Sequence, residues 1–288
     1  MDIPRDRWGR PTIIDPETGI LSPYTRVSTM AKAPDDTGGL VNWASQKTVE
    51  GLVSRPDLYR LAQLPGADLK AIAKQAKDAS DSDSAANMGT VLHSWTESVD
   101  LDASAIDKVP EELRPYIDAY VVATTHLTVE ATELFVVNDT LRVAGSLDRL
   151  YRLPDGAVVV GDVKTGKWAD TYGQGSVAIQ TAMYSHGQRY DPATGERTPL
   201  HPDIDHSRNL LVHLPLLPPD APSLARPSCT LHDLDGEAGW YGARMASAIT
   251  AWRKRRDIAS AHLSPAHLTP DEAAAREFSA EDFNALFA

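Results

Sequence analysis

The sequence has very little cysteine and no long apolar stretch. Its single cysteine, Cys229, has no partner for an internal disulfide, and it excludes a cysteine-ligated zinc site and a four-cysteine iron–sulfur cluster. No run approaches the roughly 18 uncharged apolar residues of a membrane-spanning helix, so no membrane partner is expected. The start, MDIPRDRWGRP, lacks the apolar core of a secretory signal. These absences predict a cytoplasmic protein.

Acidic residues outnumber basic ones, but the two kinds are unevenly distributed. The chain has 40 Asp and Glu against 28 Lys and Arg, a net charge of −12, which by itself argues against a nucleic-acid partner. Residues 141–190, however, carry six Lys and Arg against four Asp and no Glu. Net charge therefore does not decide the partner.

A second basic run, WRKRR, lies at the end of a predicted helix. Its cations, Arg253, Lys254, Arg255 and Arg256, are candidates for contacts with nucleic-acid phosphates. The alternative is a solvated helix end, where cations complement the helix dipole.

Hydrophobic periodicity predicts strands in the middle of the chain and helices around them. Strands are expected at 132–138, 142–153, 157–164 and 209–216. Helices are expected around 41–52, 86–99, 110–127, 177–187 and 235–256, with Ser28, Thr29 and Ser176 as candidate N-caps. This order predicts an α/β fold, in which helices flank a mixed β-sheet.

Composition divides the chain into three parts. Residues 1–24, rich in Pro, Gly and Asp, are expected to form an extended lead-in. Residues 25–258 carry the periodic elements and are expected to form one domain. Residues 259–288 are expected to form an acidic tail, helical or disordered. The alternatives are that it docks on a partner, that it lies across the basic site and competes with DNA, or that it is a loose terminus with no binding role.

The stretch VVVGDVKTGKW, which ends at Trp168, partly matches a phosphate-binding loop. Gly161, Gly166 and Lys167 fit the first seven positions of G-x-x-x-x-G-K-[ST]. Trp168 cannot supply the hydroxyl that holds Mg²⁺ in such loops, and Asp162 would repel phosphates. The segment behind it, ADTYGQG, has two glycines and is a poor start for the helix that the motif needs. The residues therefore disfavour a P-loop ATPase.

Asp162 and Lys164 fit better on a strand, where a spacing of two residues puts them on one face. The preceding turn, LPDGA, favours a three-residue hairpin with Gly156 in the left-handed conformation. The register of that hairpin places Asp148 opposite Asp162. Opposed carboxylates destabilise a sheet unless a cation lies between them, so the register indicates a metal ion. The alternative is that Asp148 pairs with an arginine and Lys164 is a solvated edge residue.

Four short motifs occur in order along the predicted elements. They are GTVLH (Gly89 to His93), GSLD (Gly145 to Asp148), DVK (Asp162 to Lys164) and QTAMY (Gln180 to Tyr184). In this order, on helix, strand, strand and helix, they resemble the PD-(D/E)xK nuclease superfamily. The resemblance is to its RecB-like branch, which includes many bacteriophage exonucleases, and it rests on residues 89–184.

The resemblance implies a restriction-endonuclease-like core and a metal centre. His93, Asp148, Asp162 and the backbone carbonyl of Val163 would bind Mg²⁺ or Mn²⁺, which accept hard oxygen ligands and imidazole. Glu133, which opens the first strand, could also point into this site. Iron–sulfur members of the superfamily carry four cysteines, so no such cluster is expected here.

The resemblance also implies catalytic roles for the remaining motif residues. Lys164 would orient the attacking water, while Gln180 and Tyr184, one helical turn apart, would line the site near the DNA backbone.

The expected function is that of a metal-dependent DNA exonuclease. It would hydrolyse phosphodiester bonds in phage replication or recombination, in the cytoplasm of a bacterial host. A replication or recombination protein would dock on the tail. The alternative is a catalytically idle module on the same fold that binds DNA or protein.

Overall fold

The apolar runs in the middle of the chain form a mixed β-sheet. The computed structural model of the protein describes residues 3–80, 84–167, 169–218 and 221–259. Strands β4 (Thr128–Asn138), β5 (Val143–Arg152) and β6 (Val158–Lys164) follow one another as antiparallel neighbours. Strand β9 (Ile204–His213) pairs with β6 in parallel.

Shorter strands complete this sheet and form a separate hairpin. They are β1 (Thr12–Ile14), β2 (Leu21–Pro23), β3 (Thr25–Arg26), β7 (Gln188–Tyr190), β8 (Arg197–Pro199) and β10 (Thr230–Asp235). Among the described residues the large sheet has eight strands in the order β10-β9-β6-β5-β4-β7-β8, with β3 pairing in parallel with β5. Strands β1 and β2 pair only with each other.

Helices flank the sheet, which confirms the predicted α/β class. They are α1 (Val27–Ala31), α2 (Gly38–Ser54), α3 (Pro56–Ala62), α4 (Leu69–Ala79), α5 (Ser84–Leu101), α6 (Arg114–Thr124), α7 (Gln174–Ser185) and α8 (Gly236–Lys254). None of the described helices is both long and apolar enough to cross a bilayer.

The central strand β6 is buried on both faces, as its continuous apolar run predicts. Val158 and Val160 pack in a cluster with side chains of α1, α7 and α8. Val159 and Val163 pack in a second cluster with side chains of α5 and α6. The sheet is therefore sandwiched between these two sets of helices, and polar groups at the end of β6 lie between α5 and α7.

The β5–β6 hairpin has the predicted register. Leu153 donates its N–H to the carbonyl of Ala157 over 2.8 Å, and Gly156 adopts a φ of 91°. The ladder then runs to the pair Arg149 and Gly161. Because a β-carbon is disfavoured at this φ, the glycine of the PDG turn determines which residues meet further along the strands.

Within the predicted lead-in, residues 12–23 form the β1–β2 hairpin, and Ile13 is fully buried. The predicted helix starts are wrong in several places. Ser28 and Ser176 lie inside α1 and α7 and are not N-caps, and Thr29 likewise lies inside α1. Helix α6 begins at Arg114, later than the predicted start at Pro110.

The chain divides into two compact units, Met1–Thr250 and Ala251–Ala288. In the second unit Arg255 pairs with Asp257 over 2.7 Å. The guanidinium of Arg256 donates to the carbonyls of Arg253 and Arg255, a favourable use of a cation at a helix C-terminus. The predicted tail, apart from Ala259, lies outside the described residues.

Candidate functional site

Helix α5 is held against β5 by a buried ion pair. Arg149 is fully buried, and its Nε donates to Asp100 Oδ2 over 2.6 Å. The hydroxyl of Tyr120 donates to the same oxygen over 2.7 Å. Asp100 lies seven residues after His93, which places both side chains on one face of α5. The pair therefore fixes the helix face that carries His93 beside Asp148, the neighbour of Arg149.

His93 lies between two carboxylates from neighbouring strands. Its Nε2 is 3.0 Å from Asp148 Oδ2, and its Nδ1 is 3.8 Å from Glu133 Oε1. Ligand atoms of these three residues all lie within 4.8 Å of one another. One imidazole and two carboxylates form a donor set that suits Mg²⁺ or Mn²⁺.

Glu133 reaches this site from an unusual backbone conformation. Its φ is 48°, in the left-handed region that non-glycine residues seldom adopt. The β4–β5 register places it directly across from Asp148. Glu133 belongs to the cluster because its carboxylate lies 3.8 Å from His93 Nδ1.

Beyond the last backbone pair of the β5–β6 ladder, the Asp148 side chain accepts a hydrogen bond from the backbone of β6. Its Oδ2 accepts the backbone N–H of Val163 over 2.9 Å. The contact of Val163 with the site is thus through its amide N–H, whereas the sequence predicted a role for its carbonyl. The two strands separate here, and the carboxylate fills the space between them.

Asp162 faces different partners from those of Asp148. Its Oδ1 accepts a hydrogen bond from Gln180 Nε2, and its Oδ2 lies against the ammonium group of Lys164. Within the described residues no donor makes a hydrogen bond of regular geometry with Asp162 Oδ2. Asp162 is also outside the cluster of His93, Glu133 and Asp148. The opposed carboxylates therefore contact different basic side chains, Asp148 contacting His93 and Asp162 contacting Lys164.

Burial and neighbouring charges separate the acidities of the two aspartates. Burial raises the pKa of Asp162 to about 6, despite the nearby ammonium of Lys164. Burial also disfavours charge on Asp148, but the hydrogen bond with His93 and the charge of Lys164 outweigh it and lower the pKa of Asp148. Asp148 is therefore the stronger anionic ligand of the pair.

The basic residues of the site stay protonated more readily than usual. The hydrogen bond with Asp148 raises the pKa of His93. Burial disfavours charge on Lys164, yet the charges of Asp162 and Asp148 outweigh it and raise the pKa of its ammonium. Lys164 is thus suited to hold a water molecule or stabilise an anion, and not to remove a proton.

The two glycines of the motifs allow close approaches. A β-carbon on Gly89 would lie 2.5 Å from Thr165 Oγ1, so this glycine lets α5 approach the segment after β6. A β-carbon on Gly145 would lie 2.7 Å from the hydroxyl of Tyr184. Tyr184 is buried in the core below the site, and this burial, together with nearby carboxylates, raises the pKa of its phenol well above the usual value.

Gly145→Ala is expected to destabilise the protein, and Tyr184→Phe is expected to restore part of the loss. The added methyl group overlaps the Tyr184 hydroxyl, and overpacking of this kind costs about 1–3 kcal/mol. Removing the hydroxyl relieves that overlap. Urea denaturation of both single variants and the double variant measures the coupling. Additive effects of the two substitutions would contradict this packing.

A cavity of about 510 Å³ opens beside the site. Its lining includes His93 from α5, Lys164 from β6 and the turn at Thr165 and Gly166. Glu97, one helical turn beyond His93, also lines it. A ligand in this cavity can therefore reach both His93 and Lys164.

The structure brings most of the predicted site residues together around the C-terminal end of β6 and the middle of β5. His93 contacts Asp148, and Lys164 and Gln180 contact Asp162. The phosphate-loop alternative is disfavoured, because α7 begins only at Gln174, seven residues after Lys167. Scans of this chain against models of protein families and against curated proteins find no match.

Proposed function

We propose that this protein is a metal-dependent DNA nuclease. The observation that carries the proposal is the meeting of His93, Asp148, Asp162 and Lys164 at one end of the β5–β6 hairpin, beside an open cavity. A carboxylate and imidazole cluster next to a buried carboxylate and an ammonium group provides both a cation site and a fixed positive charge. Both would stabilise the negative charge that develops on a phosphate during metal-assisted hydrolysis.

His93, Asp148 and Glu133 would hold Mg²⁺ or Mn²⁺. Their carboxylate oxygens and imidazole nitrogen are donors that suit these ions. The three ligand atoms also lie within 4.8 Å of one another. Such an ion would lower the pKa of a bound water molecule and would neutralise negative charge that develops on a phosphate.

The chain's own residues position the reaction. Asp148 is held in place by the N–H of Val163, and His93 is held by the helix that Arg149 anchors. Lys164 remains an ammonium and would orient a water molecule or contact a phosphate oxygen. Gln180 keeps the Asp162 carboxylate turned toward Lys164.

The resemblance of the four motifs to phage exonucleases supports DNA as the substrate and digestion from its ends. On this proposal the protein acts in replication or recombination of phage DNA inside a bacterial host.

Incubation of the purified full chain with end-labelled linear DNA and with closed circular DNA tests the function. Single- and double-stranded forms of each are compared in Mg²⁺, Mn²⁺ and EDTA. We expect nucleotides to be released from linear DNA in either metal and not in EDTA. Cutting of closed circles would change the assignment to an endonuclease. Binding of DNA without cleavage in either metal would favour the idle interaction module.

A further inference from the structure

A second group of possible metal ligands lies beside the candidate nuclease site. Asp170, His213 and His232 each place a ligand atom within 4.8 Å of the others. His213 ends β9 and pairs in register with Lys164 on β6. None of the three belongs to the four motifs, and they have no role in the proposed hydrolysis.

The hydrogen bonds of His213 determine which of its nitrogens can bind a cation. Its Nε2 is 2.8 Å from the carbonyl oxygen of Gly166. A carbonyl only accepts, so Nε2 must carry a proton. In the neutral ring Nδ1 therefore carries a lone pair, and it is 3.6 Å from Asp170 Oδ2. Two electron-rich atoms thus face each other in a buried setting, where His213 is only 4% exposed.

This arrangement matches that of metal-binding histidines. Such histidines typically donate the second ring N–H to a carbonyl or carboxylate, which fixes the ring and the tautomer. Two ligands, each about 2.0–2.1 Å from a tetrahedral ion, lie about 3.3–3.4 Å apart. The 3.6 Å separation of His213 Nδ1 and Asp170 Oδ2 needs little adjustment to reach that geometry.

The third ligand comes from the next strand. His232 lies on β10, which is antiparallel to β9, and its ring centroid is 6.2 Å from that of His213. Its Nε2 is 2.9 Å from the hydroxyl of Thr230. Two of the three side chains are therefore held on paired strands, which is a firmer support for a metal site than loops alone.

We propose that Asp170, His213 and His232 bind a transition-metal ion, with Zn²⁺ as the preferred species. Two imidazoles and one carboxylate suit Zn²⁺ better than Mg²⁺, and the set leaves one tetrahedral position for water. Such an ion ties β9 and β10 to the segment that follows Lys164. The proposal is independent of nuclease activity.

Zinc binding to the full-length chain tests this site. The chain is freed of metal with a chelator and then titrated with Zn²⁺ in competition with a chromophoric chelator. Removing a residue that only hydrogen-bonds a metal ligand typically weakens metal binding by about 10–100-fold. Asp170→Asn and His232→Gln remove ligands themselves, so each is expected to weaken Zn²⁺ binding by about 100-fold or more. Zn²⁺ is also expected to raise the melting temperature of the wild type and not of these variants.

Two control variants separate this site from others. His126→Gln changes an exposed histidine elsewhere and should bind Zn²⁺ like the wild type. Asp148→Asn disables the first cluster and should leave the proposed zinc site intact. If Asp170→Asn and His232→Gln bind Zn²⁺ as tightly as the wild type, or if only Asp148→Asn loses zinc, the proposal is overturned. Melting temperatures in EDTA show whether each variant is folded.

Discussion

Asp148→Asn is expected to abolish metal-dependent DNA cleavage while preserving the fold. The substitution keeps an oxygen that can accept the N–H of Val163, 2.9 Å away in the wild type. It removes the negative charge that faces His93 Nε2 at 3.0 Å. We expect the cleavage rate to fall by at least about 10²–10³-fold, as when one preorganised electrostatic group is removed from an active site.

Asp155→Asn is the matched control for this variant. Asp155 lies in the turn of the same β5–β6 hairpin, where it pairs with Arg208 at the exposed surface. Its loss should leave the cleavage rate near that of the wild type. Full activity in Asp148→Asn, or equal losses in both variants, would contradict the assigned role.

Asp162→Asn is expected to reduce cleavage to a similar extent and to change the pH dependence of stability in metal-free protein. In the folded chain the pKa of Asp162 is about 6, above its ordinary value of 3.8. Between these values the folded state binds more protons than the unfolded state, so ionised Asp162 lowers stability as pH rises. Asparagine cannot ionise. The melting temperature of the variant relative to wild type should therefore increase between pH 4 and pH 8.

Asp155→Asn is expected to show the opposite dependence of the melting temperature on pH, and it serves as the comparison. The pKa of Asp155 is lowered by its hydrogen bond with Arg208. Its charge therefore contributes stability above its unfolded pKa, and that contribution is lost as pH falls below it. Melting curves in EDTA at several pH values measure both variants. A constant difference between Asp162→Asn and wild type across the range would show that burial does not raise the pKa of Asp162 as described.

Local rules predicted the part of the site that lies on the hairpin. The PDG turn indicated the register, because Pro-Asp-Gly favours a three-residue hairpin with its glycine in the left-handed conformation, and Gly156 adopts a φ of 91°. The spacing of Asp162 and Lys164 then placed both on one face of β6. Positions such as these follow from neighbouring residues and can be inferred from the sequence.

Other features depend on contacts between distant segments. Glu133 reaches His93 through a left-handed backbone conformation that no local pattern signals. The anchor of α5, Arg149 with Asp100, joins residues 49 positions apart. Asp162 was expected to share a cation with Asp148, but side chains of α7 and β6 give it its own partners.

The cluster of Asp170, His213 and His232 is the clearest case of a feature that local sequence could not predict. Its members come from a loop and two strands, and they carry no recognisable ligand spacing along the chain. Only the pairing of β9 with β6 and β10 brings them together. Sequence motifs therefore identified His93 and Asp148 of the first cluster and no member of the second.

The rate at which the wild-type chain releases nucleotides from end-labelled linear DNA, as a function of Mn²⁺ concentration, tests the central claim most directly. We expect no release in EDTA and a rate that rises with Mn²⁺ to a plateau, as His93, Asp148 and Glu133 become saturated. Mg²⁺ should support the same reaction. Cleavage that persists unchanged in EDTA, or no cleavage of any DNA at any concentration of either metal, would contradict the account.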